Sequence, residues 1–301
     1  MSSYQPATAP NSNTINNDTG ASAKLYRKPL DPETQKLVDQ VIQNGFVIIE
    51  NAFSSSDVSE ALAEVERLSV SPEIAGPASG KGRNNFEGFR TRRIYALTNK
   101  SRVFDKFIIH PKVEALNGYF LDPGFLLSNF QSINILPGEE PQTLHHDDGY
   151  ATLPRPHRPL GSAIMIALDP YTATNGATVV VPKSHTWGSD RVPRRDEAIP
   201  VVMPRGSIVY FLGTLWHGGG RNTSTGERHA LTVQYCQPWI RTIENQFLAV
   251  DFEKLPEIPK RIVDLMGYQV GAPFIGHVDG MSPRKAAERH LQRLSARRSN
   301  L

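Results

Sequence analysis

The sequence predicts a mainly β chain with a helical N-terminal layer, of the double-stranded β-helix kind: a jelly roll, cupin-like in outline. Two observations carry this. From about residue 120 on, short apolar runs (Phe130 to Leu136, Ala163 to Leu168, Thr178 to Val181, Ser207 to Leu212, Ala230 to Tyr235) alternate with Pro, Gly and Asn clusters. That is the spacing of many short antiparallel strands, not of β–α–β units. Helical periodicity comes before the strands rather than between them, and the chain has neither a G-x-G-x-x-G turn nor a P-loop, which argues against a nucleotide-binding fold.

Residues 1 to about 25 are rich in Ser, Thr, Asn, Ala and Pro with little to bury, and read as a disordered leader. From Pro32, Leu37, Val38, Val41 and Ile42 fall at helical spacing, and Asn44-Gly45 stops the helix. Phe46 to Ile49 reads as a short buried strand. Ser55-Ser56-Asp57 then offers an N-cap for a second helix carrying Val58, Leu62, Val65 and Leu68. The expected plan is one domain over 26–301, with its jelly-roll core at about 120–245 and a helical tail at about 250–301.

A chain of 301 residues, 39% hydrophobic, can bury a sizeable core. Its net charge of +3 is too balanced to argue for a nucleic-acid partner. The basic residues Arg284, Lys285, Arg289, Arg293, Arg297 and Arg298 read as a solvated helix face. A single cysteine, Cys236, leaves no disulfide framework and fits a reducing, cytoplasmic setting. No apolar run is long enough to span a membrane, and the N-terminus lacks the apolar core of a secretory signal. The closing Ser299-Asn300-Leu301 is a weak match to a peroxisomal tripeptide.

The chemistry is concentrated in Gln142-Thr143-Leu144-His145-His146-Asp147-Asp148. In a strand, residues i and i+2 share a face, so His145 and Asp147 can aim at one point while His146 and Asp148 turn away. Taken alone, the triplet reads as a polar loop with a surface histidine rather than as a metal site. The distal half of the pattern decides: His217, in Trp216-His217-Gly218-Gly219-Gly220, supplies a second imidazole where flanking glycines permit close approach. Two histidines and one carboxylate make the facial triad of non-haem Fe(II) oxygenases, with open positions for co-substrate and O₂. Arg228 stands eleven residues after His217, across a turn of Asn222, Ser224 and Gly226. On the next antiparallel strand, its guanidinium can pair with the far carboxylate of a metal-chelating keto acid.

This constellation resembles the phytanoyl-CoA dioxygenase family. The likeness extends to Asn85-Phe86-Glu87-Gly88, Thr91-Arg92-Arg93-Ile94-Tyr95, Gln131-Ser132-Ile133, Asn175-Gly176-Ala177-Thr178, Pro182-Lys183-Ser184-His185 and the stretch from Gly267-Tyr268 to Asp279-Gly280. It covers about residues 35 to 285 and is most similar to fungal members acting on terpenoid, meroterpenoid and alkaloid intermediates. The resemblance implies Fe(II) with 2-oxoglutarate and O₂ as co-substrates, 2-oxoglutarate contacts from Thr178, Gln142 and Gln131, and a homodimer. It implies oxidation of an unactivated C–H bond of an apolar small molecule, by hydroxylation, desaturation, rearrangement or endoperoxidation. Asp147 separates the chain from related halogenases, which lack the carboxylate.

Other residues read as structural: His185 as packing, Tyr235 and Trp239 as core or pocket wall on the strand beyond Arg228. Ser79 to Arg83, glycine-rich, reads as a mobile lid, and the 70–95 loop, the strand near Phe130 and the C-terminal segment as the pocket wall. Three rivals remain. An acyl-CoA hydroxylase would need a basic patch, for which Arg90, Arg92 and Arg93 are candidates. A non-catalytic jelly-roll binding protein predicts a broken triad or a missing arginine, and all four residues are present. A zinc hydrolase could use the same ligands, but the chain has no H-E-x-x-H and the arginine would lack a purpose.

Overall fold

The computed structural model describes residues 30–70 and 86–298. The expected leader, the glycine-rich 79–83 loop and the terminal tripeptide lie outside the described residues.

Helix α1 (Pro32–Asn44) begins where Asp31 accepts hydrogen bonds from the Glu33 and Thr34 amides. It ends at Gly45, whose φ of 85° lies in the left-handed region that only glycine enters without strain. Val38 and Val41 are buried, as expected, but Ile42 is 47% exposed. One residue further round the helix carries it off the packed stripe. Strand β1 (Phe46–Ile49) follows as expected. Helix α2 (Ser55–Ser69) is capped by Ser54, one residue earlier than the Ser55-Ser56-Asp57 reading. Asp57 instead sits at the third helical position and returns a bond to the Ser54 amide, completing a capping box. After β2 (Thr91–Ile94), three short helices, α3 (Leu97–Lys100), α4 (Asp105–Ile108) and α5 (Pro111–Phe120), complete the N-terminal layer.

The remaining strands are β3 (Leu126–Ile135), β4 (Gly161–Ala167), β5 (Thr178–Val180), β6 (Ile199–Pro200), β7 (Ile208–Leu212), β8 (His217–Gly219) and β9 (Arg228–Cys236). They form a six-stranded sheet in the order β1-β7-β4-β9-β3-β2 and a three-stranded sheet in the order β6-β5-β8, with antiparallel pairing throughout. This is the two-sheet, jelly-roll arrangement expected, left open rather than closed into a barrel. Each of the five strand runs read from the sequence appears, with ends shifted by at most four residues.

Alternation gives the large sheet two characters. Phe130, Ile164, Ile166, Tyr210, Leu231 and Val233 pack against the helical layer in one continuous core. Ala163, Met165, Val209, Phe211 and Ala230 face the small sheet and pack with Val180, Val201 and Leu215. Burying a leucine-sized side chain contributes about 1.5–3 kcal/mol, so the helical side supplies most of the adhesion. Strands of both sheets line the cavity that carries the site.

The C-terminal part carries α6 (Gln246–Ala249), α7 (Lys260–Leu265) and α8 (Pro283–Arg298). Arg284 pairs with Asp264 at 2.5 Å, and Lys285, Arg289 and Arg293 are exposed. No helix among the described residues is long and apolar enough to cross a membrane.

Candidate active site

His145 and His217 meet through backbone. Each donates its amide to the other's carbonyl, at 2.9 and 2.8 Å, in one antiparallel bridge. The two Nδ1 atoms repeat a single device: His145 Nδ1 lies 3.0 Å from the Thr143 carbonyl and His217 Nδ1 2.9 Å from the Leu215 carbonyl. A carbonyl only accepts, so Nδ1 carries the proton and Nε2 keeps the lone pair a metal needs. Burial, reinforced by His217, pushes the His145 imidazole down to about 4, so it is neutral at physiological pH.

Asp147 Oδ1 stands 3.8 Å from His145 Nε2 and 3.6 Å from His217 Nε2. The three ligand atoms all lie within 4.8 Å of one another, the one such His/Cys/Asp/Glu group among the described residues. The expected convergence is therefore present, but not on a strand. Asp147 opens a short 3₁₀ turn (Asp147–Tyr150) after an extended His146, and only the bridge at His145 belongs to a sheet. The expectation that His146 turns away is also corrected: it lines the cavity edge, its ring 4.9 Å from Trp216. Asp148 does turn inward, where its carboxylate accepts the Leu160 amide and burial pushes it up to about 7. The glycine run is used for proximity: a Cβ on Gly220 would stand 2.5 Å from the Ala177 carbonyl oxygen.

Around the triad is a cavity of about 590 Å³. Arg228, 1% exposed, reaches it from the first residue of β9. Its Nη1 donates to the Tyr171 hydroxyl at 3.0 Å and its Nη2 to the Gly176 carbonyl at 2.6 Å, while Nε has no partner. Among the described residues no carboxylate pairs with it. A buried cation without a counter-charge is costly unless an anion completes it.

Thr178, Gln142 and Gln131 line the same cavity. Gln142 is held at both ends of its amide: Oε1 accepts the Gly219 amide and Nε2 donates to the Phe86 carbonyl, both at 3.0 Å. Gln131 Oε1 accepts from Arg93 Nη1 at 3.2 Å. Arg93 thus separates from its neighbours: Arg90 bonds the Pro137 carbonyl, Arg92 lies near Glu227, and Arg93 faces the cavity with Nε unpartnered. The three do not converge into a basic patch.

His185 packs structurally, with Nε2 3.1 Å from the Ile42 carbonyl. Tyr235 is buried and donates to the Ile108 carbonyl. Trp239, expected beside it on the strand, lies beyond the end of β9 and is 53% exposed. The expected pocket wall holds for Phe86, Glu87, Arg93 and Tyr95 and for β3, whereas the C-terminal side supplies only Ile243. Sequence reasoning missed Gln234, Asn129 and Phe211. The signal was available for Gln234, which lies an even number of residues from Arg228 on one strand and so shares its face.

A jelly-roll scaffold holding two Nε2-presenting histidines, one carboxylate and a buried, anion-seeking arginine is the site of a non-haem iron oxygenase that uses a keto acid. The comparisons with known proteins agree. The family model described as phytanoyl-CoA dioxygenase (PhyH) matches residues 41–230, and the chain belongs to that family. Among curated relatives, dioxygenase FUM3 of Gibberella moniliformis is 29% identical, covering 77% of this chain and 83% of that protein. Dioxygenase swnH1 of Metarhizium robertsii is 27% identical, covering 87% and 91%, and dioxygenase trt7 of Aspergillus terreus is 28% identical, covering 71% and 78%. Among solved structures, the epimerase SnoN, in complex with Fe³⁺, alpha ketoglutarate and nogalamycin RO, shares the fold with a TM-score of 0.56 at 19% identity, covering 72% of this chain and 90% of that one. The chain is an iron- and 2-oxoglutarate-dependent dioxygenase.

Proposed function

We propose that this enzyme oxidises an unactivated C–H bond of a largely apolar small molecule, a natural-product intermediate, with His145, Asp147 and His217 holding the iron. Bound there, iron would activate O₂ at the expense of 2-oxoglutarate, which leaves as succinate and CO₂. The residues' own work is to bind, orient and exclude water. Arg228 takes the far carboxylate of 2-oxoglutarate, with Thr178 and Gln142 beside it. Gln131, tied to Arg93, lines the same cavity and is a further contact for the co-substrate. Phe86, Ile133, Met165, Phe211 and Ile243 give the substrate an apolar wall that keeps water from the reacting carbon.

The observation that carries this reading is the buried, carboxylate-free guanidinium of Arg228 sharing one cavity with the triad. The divergence of Arg90, Arg92 and Arg93 favours an apolar small molecule over an acyl-CoA, whose phosphates need clustered cations. The relatives named as fungal dioxygenases point the same way. A test is to supply the protein with Fe(II), ascorbate, O₂ and 2-oxoglutarate and follow succinate. Turnover that depends on iron and rises about 100-fold or more in apparent KM for 2-oxoglutarate in Arg228→Ala supports it; an unchanged KM refutes the arginine's role.

The homodimer belongs to the same reading. Trp239, Phe247 and Ile275 expose 53, 40 and 43% of their surface around a second cavity of about 360 Å³ that Leu126 and Met266 also line. An apolar patch of this kind marks an association surface. Sedimentation as a monomer at micromolar concentration would contradict the dimer. The buried Cys236 fits a reducing, cytoplasmic setting.

A further inference from the structure

The two oxygens of Asp147 meet different neighbours. Oδ1 faces both histidine Nε2 atoms, at 3.8 and 3.6 Å. Oδ2 is turned away and accepts a hydrogen bond from Gln234 Nε2 at 3.0 Å. Gln234 is fixed in turn: its Oε1 accepts from Asn129 Nδ2 at 3.2 Å.

The direction of this chain is forced. An ionised carboxylate can only accept, so Gln234 must present its NH₂ to Asp147 and its oxygen to Asn129. Asn129 must then present its own NH₂, which leaves its Oδ1 buried and without a partner. Reversing either amide would set oxygen against oxygen somewhere along the line.

The sheet builds this line deliberately. Gln234 of β9 sits between Asn129 of β3 and Ala163 of β4 in direct register. The small alanine leaves room on one side. Asn129 faces the cavity by simple alternation with Gln131 and Ile133, and a β-bulge just beyond it, between Leu127 and Asn129, inserts Ser128 so that Leu127 packs into the helical core. The extra residue is itself anchored, its hydroxyl and carbonyl accepting the Ile243 and Glu244 amides at 3.1 and 2.8 Å.

We propose that Gln234 and Asn129 are positioning residues that hold Asp147 as a one-oxygen ligand, occupying Oδ2 so that only Oδ1 is offered to the metal. This rests on the assignment of the triad as the iron site. A carboxylate free to pivot could bring both oxygens to the ion and close a position that 2-oxoglutarate or O₂ needs. Outer partners of this kind tune the affinity and the geometry of a metal centre without touching the ion.

The test uses Gln234→Met, which keeps the length and removes the donor, and Asn129→Leu, which releases the glutamine. The metal-free proteins are compared first by thermal unfolding, to show that each variant is folded. Fe(II) is then titrated anaerobically into each, followed by 2-oxoglutarate, reading the Fe(II) dissociation constant and the position of the visible band of the chelate. Expected for folded Gln234→Met is a 10- to 100-fold weaker Fe(II) affinity and a shifted band. Asn129→Leu should shift both in the same direction by less, with a double variant no worse than Gln234→Met alone. Val192→Ala, at an exposed side chain outside the cavity lining, serves as the comparison and should leave both readings unchanged. Folded Gln234→Met with the parent's affinity and band overturns the proposal. Failure of the parent itself to bind Fe(II) overturns the triad assignment instead, so the two failures are distinguishable.

Discussion

Along β9, Leu231, Val233 and Tyr235 enter the helical layer, while Arg228, Thr232 and Gln234, one step out of phase, line the cavity. The same contrast runs through β3, with Phe130 on one side and Asn129, Gln131 and Ile133 on the other. On the helical side, three hydroxyls find protein partners. Ser162 and Tyr210 hydroxyls both donate to Asn117 Oδ1, and Tyr235 donates to the Ile108 carbonyl. On the cavity side, Arg93 Nε, Asn129 Oδ1 and Arg228 Nε are buried without partners. The helical face packs mainly apolar side chains and serves stability. The cavity face gathers the triad and the arginines with unpartnered donors, the groups an iron and keto-acid site uses.

That contrast can be broken by substituting on either face. The largest effect belongs to His217→Ala on the cavity side, which should abolish retention of iron, measured by metal analysis after desalting, and leave the unfolding midpoint of the metal-free protein little changed. Leu231→Ala on the helical side should do the reverse. It should cost about 2–5 kcal/mol of stability by chemical denaturation while the folded fraction still binds iron. If both variants lost iron and stability together, the two faces would not be separable.

A smaller effect sharpens the picture of the helical layer. Burial pushes the Asp105 carboxyl up to about 6, despite Arg102 at 3.3 Å. Its folded value therefore lies above the unfolded one, the native state binds the proton more tightly, and stability is lost as pH rises from about 4 through 6. Asp105→Asn removes that dependence. Between pH 4 and pH 7 the variant should lose less stability than the parent, by about 1–3 kcal/mol in the difference of the two denaturation curves. Parallel curves would place Asp105 in a more solvated setting than its 8% exposure indicates.

Much of this was legible in the sequence because it rested on local signals. Asn44-Gly45 stops α1 for a backbone reason, and β-branched runs between turn residues marked the strands. The triad was found through residue type and spacing, although the strand geometry used to justify His145 and Asp147 was replaced by a bridge and a 3₁₀ turn. What stayed hidden depends on register. Nothing local announces that Asn129 will pair with Gln234, or that Tyr171 and Gly176 will cradle Arg228 from 57 and 52 residues away. Ile42 and Trp239 were misplaced for a related cause: an apolar residue at an element's edge follows neighbours the sequence does not name.

The measurement that tests the central claim most directly is an anaerobic titration of the purified protein with Fe(II) and then 2-oxoglutarate, followed in the visible range. The account predicts a weak charge-transfer band that needs both additions, is absent in His217→Ala, and requires far more 2-oxoglutarate in Arg228→Ala. No band in the parent protein, with iron failing to remain bound, would contradict the assignment of His145, Asp147, His217 and Arg228 as one catalytic site.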